Sequence, residues 1–313
     1  MQQHFYFGVF IPSLNRKVYF KELNIRQLKN IVKTILNNDD VALVYAFNDL
    51  IKENCKENID ILDITILDRF LILLNMRIVS IGNIQTVQLT CDETQKPYEI
   101  IVDYNQLVDN IASINFDDIV NITNKNITIE YGIPLAFRVP EQFMYDTSHV
   151  DVVARSIRHI KIGDIEYNLS TLDFFEINRI IEKLPIIFSE DIQKYLDAQE
   201  IKSNTVNFIT TINPHTIKTI EQKMSLSDNI LTRILKIAYN CDLHGLYKGI
   251  YYMVNVLKFT PEYVETLTPN EKQLYWSYYL SDEAAKEKKE KNSNNEPQMR
   301  DATGDFLNDI QNN

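Results

Sequence analysis

Histidines, cysteines, hydroxyl nucleophiles and paired carboxylates carry most protein chemistry, and here their spacing assembles no familiar reaction. The five histidines, His4, His149, His159, His215 and His244, form no HExxH or HxH and stand at no ligand spacing from a cysteine. Isolated imidazoles of this kind read as solvated or hydrogen-bonded side chains. Cys55, Cys91 and Cys241 are far apart and odd in number, so neither a disulfide framework nor a zinc or redox pair is expected. No GxSxG or SxxK marks a nucleophile. Glycine supplies only 7 of 313 residues, too dispersed to build the GxGxxG or GxxxxGK loops that cradle phosphates. Acids are plentiful, so a hydrolase built from scattered carboxylates stands as a remote alternative; it would need two of them, or a histidine with a perturbed pKa, gathered in one pocket. No catalytic residue, metal ligand or cofactor is expected.

The charge balance points the same way. Lys and Arg number 32 against 43 Asp and Glu, a formal charge of −11, and no basic stripe interrupts it. That argues against nucleic acid and anionic membranes as partners, and nothing suggests a small-molecule ligand. With 45% hydrophobic and 24% charged residues the chain can bury a substantial core. The start, MQQHFYFGVFIP, has no basic n-region and too short an apolar run for a signal peptide. The most apolar window, ILDITILDRFLILLNMRIVSIG, is broken by Asp63, Asp68, Arg69 and Arg77 and should not span a bilayer. A reducing cytoplasm is the expected compartment.

What remains is aromatic. Tyr247, Tyr251 and Tyr252 lie in YKGIYY, and Tyr275, Trp276 and Tyr279 in YWSYY. Tyr and Trp combine apolar area with a hydrogen-bonding tip and are enriched at protein interfaces. The alternative is that these rings fill the core of a helical module. A nucleic-acid stacking platform would want interleaved basic residues, which are sparse here. Gly245 and Gly249 form a GxxxG whose polar surroundings suggest a soluble helix with a close crossing.

The elements that would position these residues follow from periodicity. Residues 5–20 read as strands around a turn at Pro12-Ser13-Leu14-Asn15, and 22–37 as an amphipathic helix. Asn37-Asn38-Asp39-Asp40 ends that helix and caps the next. A third helix over about 63–79 is apolar around most of its circumference and should be central. Residues 84–91 and 97–104 alternate as a hairpin, with more β around Asn124-Lys125-Asn126, an extended 133–140, a helix over 141–157 and a hairpin turning at Gly163-Asp164. Beyond 170 the chain should be helical: FFEINRIIEKL, then a helix capped by Ser189, then 214–224, 226–240 and 243–258, with 203–212 as an added strand. Thr260-Pro261-Glu262 and Thr268-Pro269-Asn270-Glu271 carry strong helix-start signals. The last segment loses apolar periodicity and is expected to be disordered.

Several of these patterns occur together in a known order. IPSLNRKVYFKEL is followed by QLKNIVKTI, by Cys55 near the end of the second helix, by IDILDITILDRFLILLNMRIVSIG and by QLTCDETQKPYEIIVDY, with Cys91 and Tyr98. LDFFEINRIIEKLPIIFSEDIQKYLDA adds a later block. This succession resembles the baseplate hub assembly proteins of T-even-type contractile-tailed phages, with Asp60, Asp68, Arg77, Ser80 and Gly82 at the family's characteristic positions. The resemblance implies a non-enzymatic late phage protein that binds hub or tape-measure proteins, in the host cytoplasm during assembly and in the virion tail baseplate. A tail-assembly chaperone absent from the finished virion is the main rival.

The expected fold is α+β. N-terminal helices pack with antiparallel β-hairpins over residues 1–168, and a helical continuation of the family spans 169–212. An all-α, aromatic-rich interaction module over 213–280 and a disordered charged tail over 281–313 follow. Asp68, Arg69 and Arg77 should order the helix-to-hairpin junction, with Ser80 and Gly82 as structural motif residues. A groove in 226–280 could hold a partner's amphipathic segment, and truncation near 213 should leave the N-terminal part folded.

Overall fold

A computed structural model describes residues 5–57, 59, 63–116, 119–136, 149–169, 172 and 174–294. The fold is α+β. It opens on the antiparallel pair β1 (Tyr6–Ile11) and β2 (Arg16–Lys21), in register from Tyr6↔Lys21 to Ile11↔Arg16. Asn15 takes a left-handed conformation at the turn between them. Helix α1 (Ile25–Leu36) begins at a capping box in which Asn24 and Gln27 bond each other's backbone. Asp39 accepts from the Ala42 amide at 2.9 Å and starts α2 (Asp40–Asn54), as its sequence suggests.

Helix α3 (Ile66–Ile81) is the central element: Leu67, Phe70, Leu71, Ile72, Leu73, Leu74 and Met76 are all buried. An apolar circumference leaves no face for water, so neighbours must cover it on all sides. β3 (Ile84–Thr90) and β4 (Pro97–Asp103) form the expected hairpin, from Ile84↔Asp103 to Thr90↔Pro97. α4 (Tyr104–Ala112) then buries Tyr104, Leu107 and Ile111. Its apolar spacing and the Asp103 cap, bonded to the Asn105 amide at 2.9 Å, are a helix signal in a stretch to which the sequence reading assigns no element.

A second core surrounds a four-stranded antiparallel sheet, β5 (Val120–Asn124), β6 (Ile127–Tyr131), β7 (Ile157–Ile162) and β8 (Ile165–Asn168), in sequence order. α5 (His149–Ser156), α6 (Phe174–Ile181) and α7 (Ile186–Ser203) cover it, burying Ile129, Ile160, Ile177, Phe188 and Ile192. α7 starts behind Pro185, so Ser189 lies inside the helix and not at its cap. The Ile64 carbonyl and Ile66 amide bond Ala136 and Pro134, at 2.8 and 2.9 Å, tying this sheet to the start of α3. Asp60, the residues Ser170, Thr171 and Asp173 of the proposed cap and residues 141–148 of the helix expected over 141–157 lie outside the described residues.

The chain then returns to the first core. β9 (Asn207–Ile212) pairs with β10 (Thr219–Lys223), so the helix expected over 214–224 is instead a hairpin arm. Ile217, with φ of 57°, sits in its turn, and the Asn213 amide bonds the Lys218 carbonyl at 2.9 Å. Cross-strand pairing outcompetes the weak helical spacing of this short run. The module after 213 is therefore not all-α. Helix α8 (Asp228–Tyr239) lies on α3, and Leu231, Ile234, Leu235, Ala238 and Tyr239 join the same core as Phe70 and Leu74. Packing is continuous across residue 213, and the apolar face of α8 is covered, so it cannot line a partner groove.

α9 (Leu243–Asn255), α10 (Pro261–Thr266) and α11 (Pro269–Asn294) form the last layer. Ile25, Leu246, Met253, Val264 and Leu267 make its small core. The layer is held to α1 by the Ile25 amide bonding the Leu267 carbonyl at 2.8 Å and by an ion pair between Lys29 and Glu265. Thr268 and Glu271 bond each other's amides at 2.8 and 3.1 Å, a capping box that starts α11. The helix continues through Asn294, so residues 281–294 are helical where disorder was expected. Ala, Glu and Lys are strong helix formers, and Lys286 pairs with Glu283 at 2.8 Å one turn away.

Candidate protein-protein interface

Helix α9 points Leu246 and Met253, seven residues apart, into the last core, which leaves its tyrosines on the other side. Tyr251 is 61% exposed and Tyr247 42%. Tyr251 meets Tyr252 edge-on at 5.7 Å between ring centroids. Tyr252 stacks on Trp276 of α11 at 5.5 Å, and Trp276 stacks on Tyr279 at 5.3 Å. Four of the six aromatic residues singled out from sequence thus form one continuous ring ladder across two helices. Lys248 lies 5.9 Å from the centroid of Tyr252, a cation–π distance.

The other two stand apart. Tyr275 turns inward, where Phe259 meets it edge-on at 5.2 Å and its hydroxyl lies 3.4 Å from that of Tyr263. Tyr247 lies over α1, with the ammonium groups of Lys33 and Lys29 at 5.6 and 6.0 Å from its centroid. Leu274, Tyr278 and Leu280 of α11, not singled out from sequence, are also exposed; Leu280, one turn beyond Trp276, lies on the ladder's side of the helix, whereas Leu274 and Tyr278 fall toward the opposite side. Their neighbourhood of Trp276 carried the signal. Gly245 and Gly249 face the side chains of Asp242 and Lys272, so the GxxxG is not a backbone-to-backbone crossing.

The family-motif residues occupy a different place. Asp68, buried, accepts from the Thr65 amide at 2.9 Å and the Ser13 amide at 3.3 Å, which fixes the start of α3 against the β1–β2 turn. Ser80 Oγ, also buried, accepts from the Leu23 amide at 3.0 Å. Gly82 ends α3 with φ of 129° and ψ of 165°, a region open essentially to glycine alone. The Asp68 and Ser80 side chains hold backbone.

Arg77 does more than order the hairpin junction. Its Nε donates to the Ala238 carbonyl at 3.0 Å and its Nη2 to Gln85 Oε1 at 3.2 Å. Gln85 Nε2 donates to the carbonyls of Ile237 and Asn240 at 3.1 and 3.2 Å. The last carbonyls of a helix lack intrahelical partners and carry partial negative charge, so a guanidinium and a carboxamide form a suitable C-terminal cap for α8. The guanidinium also lies 4.5 Å from the centroid of Tyr104, whose hydroxyl donates to Gln85 Oε1 at 2.7 Å. Tyr239 Oη donates to the Leu73 carbonyl at 2.7 Å. Burial disfavours charge throughout this cluster. It lowers the pKa of Arg77, pushes Tyr104 up to about 12 and raises Tyr239 further. Sequence reasoning missed Gln85, Tyr104 and Tyr239 because their partners lie as much as 166 residues away in the chain.

Among the described residues, no group of three His, Cys, Asp or Glu side chains could hold a metal ion, and no helix is long and apolar enough to cross a membrane. A family model described as T4 bacteriophage base plate protein matches residues 5–207, more than half of the chain. No curated protein and no solved structure matches.

Proposed function

We propose, since the chain belongs to the T4 bacteriophage base plate protein family, that it serves the central hub of the phage tail baseplate, as a hub component or hub assembly factor. It acts by binding other tail proteins, hub or tape-measure components among them, and performs no catalysis. The carrying observation is the continuous ladder of Tyr251, Tyr252, Trp276 and Tyr279, exposed at Tyr251 and half-buried at the other three rings, with the exposed Leu280 one turn beyond Trp276. Rigid aromatic rings lose little conformational entropy on docking, and such residues dominate the energetics of protein interfaces. Residues 243–280 are thus the interaction module, carried on a scaffold that α8 completes.

Co-expression with the neighbouring tail genes, followed by affinity recovery and mass spectrometry, tests this reading. Stable co-purification of a hub or tape-measure protein supports it; a monodisperse monomer that recovers none of them contradicts it. Fixed stoichiometry in purified particles distinguishes a hub component from an assembly chaperone.

A further inference from the structure

Strands β1 and β2 form a two-stranded ribbon whose inner side chains, Val9, Ile11, Val18 and Phe20, are buried in the first core. Side chains alternate across a strand, so the residues between these face outward. The antiparallel register sets Tyr6 opposite Lys21, Gly8 opposite Tyr19 and Phe10 opposite Lys17 on that outer face. Phe10 is 56% exposed and Tyr19 41%. The segment just past α2 lies along β2: Cys55 bridges to Phe20, and the Lys56 amide donates to the Tyr19 carbonyl at 2.9 Å. From there the Lys56 side chain reaches Tyr6, with Nζ 4.8 Å from the ring centroid. Lys17 lies across Gly8, where no side chain stands in its way, and its Nζ is 5.8 Å from the centroid of Tyr19. Three rings and three lysines thus share one face. They come from separate stretches of chain, so no run of basic residues announces them in the sequence. Among the described residues no carboxylate pairs with Lys17, Lys21 or Lys56, and the neighbouring Glu57 pairs with Arg16 at 3.4 Å.

We propose that the outer face of the β1–β2 ribbon docks a carboxylate-rich segment of another polypeptide. Charge complementarity selects this partner. Three cations without a carboxylate stand together on a chain of net charge −11, so an acidic segment is repelled by the molecule at large and drawn to this face. Lys17 and Lys21 stand four residues apart on one strand, about 13 Å, so two carboxylates at that separation meet both. Lys56 offers a third position, and the exposed ring of Phe10 receives an apolar side chain between the acids. The rings of Tyr6 and Tyr19 already hold two of the ammonium groups in place, which lowers the cost of ordering them on binding. The same contacts argue against nucleic acid. Base stacking needs an open ring face, and ammonium groups lie over those of Tyr6 and Tyr19. A polynucleotide running past the ribbon would also meet the acidic remainder of the chain, whereas a polypeptide can confine its acids to the contact. None of these residues belongs to the aromatic ladder, so the face stands or falls separately from it.

The test uses the full chain and a short fluorescent peptide of repeating Glu-Phe-Glu-Gly, whose acids recur at the spacing of the two strand lysines. A Gln-Phe-Gln-Gly peptide and an oligothymidylate of equal length serve as comparisons. Fluorescence anisotropy at low salt should show binding of the Glu peptide alone, weakening as salt rises. Carbodiimide coupling, which joins a carboxylate to a neighbouring amine as an amide, should attach that peptide to Lys17, Lys21 or Lys56. The triple variant Lys17→Gln/Lys21→Gln/Lys56→Gln should bind it at least roughly tenfold more weakly, with Tm within a few degrees of wild type. Tyr251→Ala/Trp276→Ala should bind it unchanged. Absence of binding, equal binding of the Gln peptide, coupling confined to other lysines, or undiminished affinity in the folded triple variant would each overturn the proposal. So would tighter binding of oligothymidylate, which would assign the face to single-stranded nucleic acid. Self-association of the full chain that is lost in the triple variant would assign it instead to a second copy.

Discussion

Removing everything after residue 212 should unfold the part of the chain that carries the family match. Met224, Leu231, Ile234, Leu235 and Tyr239 are each 0–1% exposed and sit in one core with α3. Burying a large apolar side chain contributes about 1.5–3 kcal/mol, so these five supply roughly 7–15 kcal/mol as an upper bound. That is the whole stability of an ordinary domain, about 5–15 kcal/mol. Truncation also strips Arg77 of the carbonyl it caps and leaves a buried cation less well satisfied. The fragment 1–212 is compared with 1–242, which keeps α8 and drops the aromatic layer. Near-ultraviolet circular dichroism and thermal melts should show a cooperative transition for 1–242. For 1–212 they should show none, with strong binding of a hydrophobic dye. A cooperative melt of 1–212 close to that of the full chain would refute the reasoning, and would make residues 5–207 a self-sufficient domain.

Smaller perturbations test individual contacts. Tyr239→Phe removes one buried hydroxyl bonded to Leu73 and should cost about 1 kcal/mol in urea denaturation, whereas Tyr239→Ala should cost about 3–5. Arg77→Lys keeps the charge but cannot reach Ala238 and Gln85 with a planar fork; a loss of about 1–3 kcal/mol is expected, measured the same way. Gly82→Ala meets no atom within 4 Å, so its expected cost of about 1–3 kcal/mol is purely conformational and should appear as a lower Tm. The fold holds Tyr104 protonated up to about pH 12, while an unfolded tyrosine ionises near 10. The native state therefore binds more protons between those values. Tyr104 alone should lower stability by roughly 3 kcal/mol from pH 10 to 12, with Tyr239 adding a loss of the same sign, and Tyr104→Phe should reduce that pH-dependent fall in urea midpoints.

Local signals were legible where one short segment holds its own cause. Asp39 caps α2, Thr268 and Glu271 start α11, and strict alternation over 84–90 and 97–103 makes the β3–β4 hairpin. The apolar circumference of α3 correctly marked it as central, although nothing local said what would cover it. The misses are long-range. Ile217, Ile220 and Met224 have spacing compatible with a helix, and only pairing with Asn207–Ile212 makes that run a strand. Likewise, the apolar stripe of α8 could equally have faced a partner; it is covered because α3 needs a neighbour. At the candidate interface, residue type singled out the segments whose rings form the ladder. The division between the ladder of Tyr251, Tyr252, Trp276 and Tyr279 and Tyr275, which packs against the last core, depends on where α10 and Phe259 fall.

The most direct measurement takes whichever tail protein co-purifies and compares its affinity for the full chain and for the double variant Tyr251→Ala/Trp276→Ala by calorimetry. Both rings lie outside the buried cores, so the variant should keep the wild-type Tm to within a few degrees. Interface aromatics of this kind contribute about 2 kcal/mol or more each, so a loss of at least roughly a hundredfold in affinity is expected. Unchanged affinity in a fully folded variant would contradict the account and remove the aromatic face from the binding surface.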